Sequence, residues 1–318
     1  MNVGQIRKAE LEKLVVVTHW KQFHADDVMA VALLKYFLVD VERLFKHTTI
    51  KRIDYNKMSG TEIKNKYTER CGNYVIVVDV GRVYNPKQGL FDHHQFTKEE
   101  DGRASAGMVF DWLVSEGVIA PKLANKLEPL IRYIDANDIG VRPAKTGEYS
   151  WMIRHLNRDY NSTDDEHYEA FTYAVEFTIK ILDSLYKDYI KAEKAKDVLY
   201  SGKVVLSDVV EFKDGVVRGF YGLELPEYPD GWTDVIYDKD FKNVDIIIYP
   251  DTKTGEWKAQ TVNVSNDSYE KRGRKITVDE DYISKPDNGI VFVHKGEFFM
   301  VAKDRDSLYK YLRRYLTM

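Results

Sequence analysis

The sequence predicts an α/β fold in which a mainly parallel sheet flanked by helices forms an N-terminal domain, followed by a smaller α+β C-terminal domain. Three observations carry this. Short β-branched runs alternate with helical stretches through the first half, the order expected when crossover helices join parallel strands. The run from Tyr74 to Val80 is apolar at almost every position, which calls for cover on both faces of its sheet. Beyond Gly202 the character changes to strands separated by turn residues.

In chain order, Leu14 to Thr18 reads as a buried strand, and Asp26 to Leu38 carries apolar residues throughout, as a helix packed on a sheet does. Ile50 to Tyr55 is a second strand, Thr61 to Tyr67 a helix, and Tyr74 to Val80 a third strand. Helices follow over Ser105 to Glu116 and Pro121 to Ile134. Pro121 falls near its helix start, where a missing N–H costs nothing. Asp164 to Tyr200 lacks Gly and Pro and is rich in Glu, Lys, Ala and Leu, which predicts one long helix or a helical pair. Strands are then expected over Val204 to Leu206, Val216 to Tyr221, Asp245 to Tyr249, Trp257 to Val264 and Ile290 to Val293, with a closing helix from Arg305 to Leu316. These elements divide the chain into residues 1–160, a helical connector over 161–200, and residues 201–318.

The 318 residues, 44% hydrophobic and 31% charged, suffice for one large core or two ordinary ones and exclude disorder as the main description. Lys+Arg 47 against Asp+Glu 51 leaves a net charge of -4, so the whole protein has no electrostatic reason to coat long duplex DNA. A polyanion would have to be gripped locally, by metal or by a small basic patch. The single cysteine, Cys71, excludes an internal disulfide framework and a thiolate zinc site, and suits a reducing cytosol. Runs such as Leu14 to Val17 and Ile246 to Tyr249 are too short to cross a bilayer, and Met1 to Lys13 has no apolar signal-peptide core. A cytoplasmic chain without a membrane partner is expected.

His and Asp residues gather just after the predicted strands, where ligands collect in open α/β sheets. After the first strand, His19, His24 and Asp26 cannot share one helix face, but a loop turning into a helix folds them around one cation. Imidazole with carboxylate suits a first-row divalent metal such as Mn²⁺ better than Ca²⁺. The plain alternative makes Asp26 or Asp27 a helix N-cap. Asp79 ends a strand apolar enough to be buried, at a cost unless a cation or a full set of donors meets it. A turn-capping role before Gly81 is its alternative. Asp92-His93-His94-Gln95 points imidazoles in different directions, so one can bind metal while its neighbour faces a phosphate. Ile134-Asp135-Ala136-Asn137-Asp138 ends a helix, where carboxylates are unfavourable unless a cation is near, and spacing leaves Asp135 and Asp138 equal as ligands. Together the four clusters call for two metals about 3.5–4 Å apart, which acidify a bridging water and clamp the attacking and leaving oxygens of a phosphoryl displacement.

The order His19…His24-Ala25-Asp26, Asp79-Val80-Gly81, Asp92-His93-His94-Gln95, Ser105-Ala106-Gly107 and Asp135-Ala136-Asn137-Asp138 resembles the DHH phosphoesterase superfamily, and within it the Myg-type exonuclease branch. The resemblance continues through Tyr249-Pro250-Asp251, Trp257, Ser268-Tyr269-Glu270-Lys271-Arg272 and Val291-Phe292-Val293-His294. It is weaker between Asn161 and Asn243. It implies a two-domain phosphodiesterase, with a catalytic domain over residues 1–160 and a substrate-binding domain over 201–318. A dinuclear centre, usually Mn²⁺ with Mg²⁺ as the substitute, is implied in the cleft between them. By position, His19, His24, Asp26, Asp79, His93 and Asp135 are implied as metal ligands, with Asp79 bridging. His94 is implied at the scissile phosphate or the leaving oxygen, and Asp92 as the carboxylate that orients a histidine. The implied activity is 3′-to-5′ exonucleolytic cleavage of single-stranded nucleic acid or oligonucleotides.

Two stretches depart from the family pattern. Trp20-Lys21-Gln22 replaces a small, Gly-containing stretch. Lys295-Gly296-Glu297-Phe298-Phe299-Met300 replaces a tail that normally ends in paired glycines, which puts end recognition and substrate length in question. Lys271-Arg272-Gly273-Arg274-Lys275 is the best local basic patch, with Arg272 and Arg274 suited to phosphate and His294 nearby in the resemblance. A solvated turn is its plain alternative. Ser105 would put a helix N-terminus under a phosphate, or simply cap that helix. Two other functions stay open: a small-substrate phosphohydrolase such as a pyrophosphatase or cyclic-dinucleotide phosphodiesterase, and a non-catalytic nucleic-acid-binding module. The oligomeric state is open, a homodimer included.

Overall fold

The computed structural model describes residues 13–54, 58–68, 73–97, 102–206, 210–211, 217–218, 221–241, 243–263 and 274–317. The chain forms two compact units, Met1–Lys187 and Asp188–Met318.

The first unit is built on β1 (Lys13–His19), β2 (His47–Ile53), β3 (Asn73–Val78), β4 (Tyr84–Asn85) and β5 (Leu90–Phe91), in the spatial order β2-β1-β3-β5-β4. β1 runs parallel to both neighbours, with Val15 opposite Thr49 on one side and Val75 on the other. β5 is parallel to β3, and β4 alone is antiparallel, so the predicted mainly parallel sheet is what forms. Val15, Val17, Val75 and Val77 share a core cluster with Ile63 of helix α2 (Gly60–Thr68). The alternate residues Leu14, Val16, Ile76 and Val78 are equally buried, which accounts for the unbroken apolar runs. Helix α1 (Ala25–Lys35) is buried at every position except Lys35 and packs against α3 (Ser105–Ser115) and α4 (Pro121–Asp138). That enclosure is why its sequence shows no polar face.

From β1 the chain passes to β2 on one side, then crosses back to β3 on the other. The carboxyl ends of β1 and β3 therefore meet at a topological switch point, and His19 and Asp79 stand there.

Differences from the sequence reading are local. β2 starts three residues early, Tyr55 lies outside the described residues, and the two-residue strands β4 and β5 are too short to show a pattern. α4 runs on to Asp138 instead of ending at Ile134. A short helix α5 (Tyr149–Arg154) precedes α6 (Asp164–Ser201), which is one 38-residue helix. The boundary between the two compact units falls inside α6, whereas the sequence reading draws its divisions at residues 160 and 200.

In the second unit, six strands lie in the order β10-β11-β9-β8-β7-β6: β6 (Lys203–Leu206), β7 (Tyr221–Glu224), β8 (Ile246–Pro250), β9 (Trp257–Thr261), β10 (Ile290–Val293) and β11 (Phe299–Ala302). Alternation along β8 supplies both faces. Ile247 and Tyr249 join Ala192, Ala195 and Leu199 from the end of α6, while Ile246 and Ile248 join Leu308, Tyr311 and Leu312 of α7 (Arg305–Tyr315). Among the described residues, no helix is long and apolar enough to cross a membrane.

Candidate metal centre

β1 ends on His19, whose Nε2 lies 3.2 Å from Asp27 Oδ2 and 3.4 Å from Asp79 Oδ2. Asp79 follows β3 in a left-handed backbone conformation, φ 55°, which Asp tolerates better than most residues. The chain turns sharply there, and Gly81 at φ 95° continues the turn with no room for a side chain, since a Cβ would come 2.4 Å from the Gly60 nitrogen. Asp79 Oδ1 is thereby held 3.4 Å from His93 Nε2 and 3.5 Å from His94 Nδ1.

The start of α1 supplies two more carboxylates. Asp26 is fully buried and accepts the Ser105 and Ala106 backbone N–H groups of α3 at 3.1 and 2.6 Å. Asp27 Oδ1 accepts the His24 N–H at 2.8 Å, while its buried Oδ2, close to His19, has no properly directed hydrogen bond among the described residues. After β5, Asp92 accepts the Arg82 N–H at 2.6 Å through Oδ2. Its Oδ1 faces His94 Nδ1 at 2.8 Å and accepts the His94 N–H at 2.9 Å.

Among the described residues, three groups of side chains bring their ligand atoms within 4.8 Å of one another: His19, His24 and Asp79; Asp79, His93 and His94; and Asp26, His93 and Asp138. The first two share Asp79 and the last two share His93. His93 Nε2 is 3.1 Å from Asp138 Oδ2 but, like Asp27 Oδ2, is buried without a properly directed hydrogen bond. Buried polar atoms left unsatisfied among imidazoles and carboxylates fit a cation, and this mixed donor set fits a first-row divalent ion.

The electrostatics agree. Burial, together with the charges of Asp138 and Asp79, pushes Asp26 well above the usual carboxylate range. Burial works against ionised Asp79 too, yet His19 and His93 hold it well below that range. Burial opposes charge on both imidazoles, but Asp27 and Asp79 lift His19 well above its ordinary value, and Asp138, Asp79 and Asp26 bring His93 up to about 11. Carboxylates outnumber histidines in the buried part of the site, so it favours added positive charge.

Two expected residues sit elsewhere than the resemblance implies. Asp135 takes no part in the three groups. Its Oδ2 accepts Arg103 Nη1 at 2.9 Å, and its Oδ1 accepts the Ala104 and Gly107 N–H groups at 3.1 and 3.2 Å. It clamps the start of α3, and burial lifts it to about 6 despite Arg103. Asp138, three residues further along α4, is the carboxylate grouped with Asp26 and His93. Ser105 is fully buried and donates its hydroxyl to Asp79 Oδ1 at 3.2 Å, so that hydroxyl is turned toward Asp79 inside the fold.

Of the remaining expected residues, His19, His24, Asp26, Asp79, His93, His94 and Asp92 come together around the switch point. Arg272 lies outside the described residues. In the second unit, Arg274 stands 3.6 Å from Asp245, and His294 accepts the Gly296 N–H at Nδ1 with the Phe298 ring tilted against it at 4.3 Å. Sequence reasoning weighed Asp27 only as a helix N-cap; the doubled acid Asp26-Asp27 at a helix start is the signal that places a second carboxylate beside His19. A pocket of about 540 Å³ opens on the centre, with His19, His24, Asp79, Asp92 and His94 in its wall.

A family model, MYG1_exonuc, described as an uncharacterised protein family (UPF0160), matches residues 15–316. A MYG1 protein of Dictyostelium discoideum is 24% identical over 347 residues, covering 93% of this chain and 94% of the relative. A MYG1 protein of Chlamydia trachomatis is 28% identical over 196 residues, 60% of this chain and 62% of the relative. A protein of Bos taurus named MYG1 exonuclease is 20% identical over 297 residues, 80% and 70% of the two chains. Among solved structures, RecJ from Thermus thermophilus in complex with Mn²⁺ aligns with a TM-score of 0.30 and 11% identity, over 96% of this chain and 52% of RecJ. An exopolyphosphatase-related protein from Bacteroides fragilis aligns with a TM-score of 0.25 and 14% identity, over 82% of each chain.

Proposed function

The chain belongs to the MYG1_exonuc family, and from that membership together with the geometry of the centre we propose that it is a metal-dependent phosphodiesterase of the DHH type. Its substrate is single-stranded RNA, DNA or a short oligonucleotide, degraded from the 3′ end. The observation that carries this reading is Asp79: one strand-end carboxylate, turned by a left-handed residue, serves two of the three ligand groups. His19 and His24 would hold one ion and Asp26, His93 and Asp138 the other, with Asp79 between them. Two divalent ions bound there, Mn²⁺ or Mg²⁺, would acidify a water and clamp the attacking and leaving oxygens of the phosphodiester.

The rest is done by the protein's own side chains. Asp92 fixes the His94 ring through Nδ1 and raises its proton affinity, so the exposed imidazole keeps a proton on Nε2 to give to the leaving oxygen. The backbone N–H groups of Ser105 and Ala106 hold Asp26, and the Ser105 hydroxyl holds Asp79. Both carboxylates are thus oriented before substrate arrives. In the second unit, Arg272, Arg274 and His294 are the proposed contacts to the nucleic-acid backbone.

Single-stranded oligonucleotides labelled at the 5′ or the 3′ end, incubated with Mn²⁺, test this. Release of the 3′ label with a descending ladder from the 5′ label is expected. No cleavage of any oligonucleotide while pyrophosphate or a cyclic dinucleotide is hydrolysed would replace the proposal with a small-substrate phosphohydrolase. Oligonucleotide binding that persists in EDTA without turnover would replace it with a binding module.

A further inference from the structure

The pocket that opens on the centre also contains Trp20, Lys21 and Tyr160, which metal binding and proton transfer do not use. Trp20 and Lys21 belong to the first of the two stretches where the sequence departs from the family pattern, and Tyr160 comes from a loop far along the chain. Their placement is built in. Lys21 adopts a left-handed backbone conformation, φ 65°, and Arg52 holds that turn by donating Nε to the His19 carbonyl at 3.0 Å and Nη2 to the Lys21 carbonyl at 2.9 Å. Gln22 Nε2 donates to the Arg158 carbonyl at 2.8 Å, and Asn157 brackets the Phe23 backbone with bonds of 2.9 and 2.8 Å. The loop after β1 is thereby fastened to the loop that carries Tyr160.

Within this frame the Lys21 ammonium lies 3.6 Å from the Tyr160 ring centre and 5.0 Å from that of Trp20. Tyr160 is nevertheless 63% exposed, so a cation on one face leaves much of the ring open. Two aromatic rings held beside one ammonium group, in one pocket with His19, Asp79 and His94, match a nucleotide's own layout of base and phosphate. Aromatic faces accept any base, and the pocket volume of about 540 Å³ falls among sites for small molecules.

We propose that Trp20, Lys21 and Tyr160 form the subsite for the terminal nucleotide, with its base stacked on the two aromatic rings and Lys21 directed at its phosphate. The inference rests on the phosphodiesterase reading. It goes further in assigning recognition to base stacking in the first unit.

Two measurements test it and separate its failure from that of the enzymatic reading. The first compares binding of adenosine 5′-monophosphate and ribose 5-phosphate to the full chain with Mn²⁺, for wild type, Trp20→Ala, Tyr160→Ala and Tyr160→Phe. The second measures kcat and KM on oligonucleotides ending in a normal or an abasic 3′ nucleotide. The wild type is expected to prefer the base-bearing ligand in both. Each Ala variant should raise KM for the normal end by roughly 5- to 100-fold, as loss of one base–aromatic stack does, with the larger change in KM and not kcat. Tyr160→Phe should keep the wild-type preference.

Equal handling of normal and abasic ends by the wild type, an unchanged preference in both Ala variants, or loss of preference in Tyr160→Phe would each overturn the subsite. If no oligonucleotide is cleaved, the exonuclease reading falls and mononucleotide binding alone decides. Tighter binding of the base-bearing ligand that Tyr160→Ala abolishes supports the subsite, and equal binding overturns it.

Discussion

Asp92 Oδ1 lies 2.8 Å from His94 Nδ1 and also accepts the backbone N–H of His94 at 2.9 Å, so one carboxylate oxygen fixes both the ring and the chain that carries it. The hydrogen bond that the His94 ring donates to Asp92 is the main reason its affinity for a proton is raised above the ordinary value. A proton donor of this kind is active below its raised pKa, and its contribution is lost as pH rises through that value. Replacing Asp92 by Asn removes the charge and should move the alkaline limb of the pH–rate profile to lower pH. At pH 8 the rate should fall roughly 10- to 100-fold. An alkaline limb unmoved in Asp92→Asn would remove His94 as the proton donor.

Asp135 and Asp138 should separate stability from activity. Asp138, 15% exposed, faces His93. Asp138→Asn should cost about 100-fold or more in turnover and metal affinity while changing unfolding by no more than about 0.5 kcal/mol. Asp135→Ala instead strands a buried Arg103 contact and two backbone N–H groups, at a cost of about 3–5 kcal/mol in urea unfolding. The reverse pattern would return Asp135 to the ligand set.

Gly107 fixes the same junction from the other side. A Cβ there would lie 2.4 and 2.5 Å from the Asp135 oxygens and 2.6 Å from Arg103 Cδ. Gly107→Ala should therefore destabilise by about 1–3 kcal/mol, and metal affinity should fall with it, because the same turn of α3 holds Asp26. Wild-type unfolding and metal affinity in this variant would show that the junction does not order the centre.

How far the sequence speaks depends on whether a feature is local. β1 and β3 are legible because both of their faces are buried, which leaves unbroken apolar runs, and the strand ends at His19 and Asp79 follow from them. Asp135 and Asp138 lie three residues apart on one helix, so spacing could not rank them. The partners that decide, Arg103 and the start of α3, arrive from some 30 residues earlier in the chain. Ser105 looked available because a helix start is normally short of acceptors, but here Asp26 and Asp135 have already taken that turn's N–H groups. The left-handed turn at Asp79 has no sequence signal of its own, since glycine, its usual mark, stands two residues later at Gly81.

Titration calorimetry with Mn²⁺ on the wild type and Asp79→Asn tests the shared carboxylate most directly. Asn accepts the left-handed backbone at position 79, so the variant keeps the turn and loses only a charged oxygen. The wild type should bind two ions, and Asp79→Asn should lose at least one of them, weaken the other by about 100-fold and lose hydrolysis in proportion. Equal Mn²⁺ binding by the two proteins, or no binding by the wild type, would contradict a centre organised on Asp79.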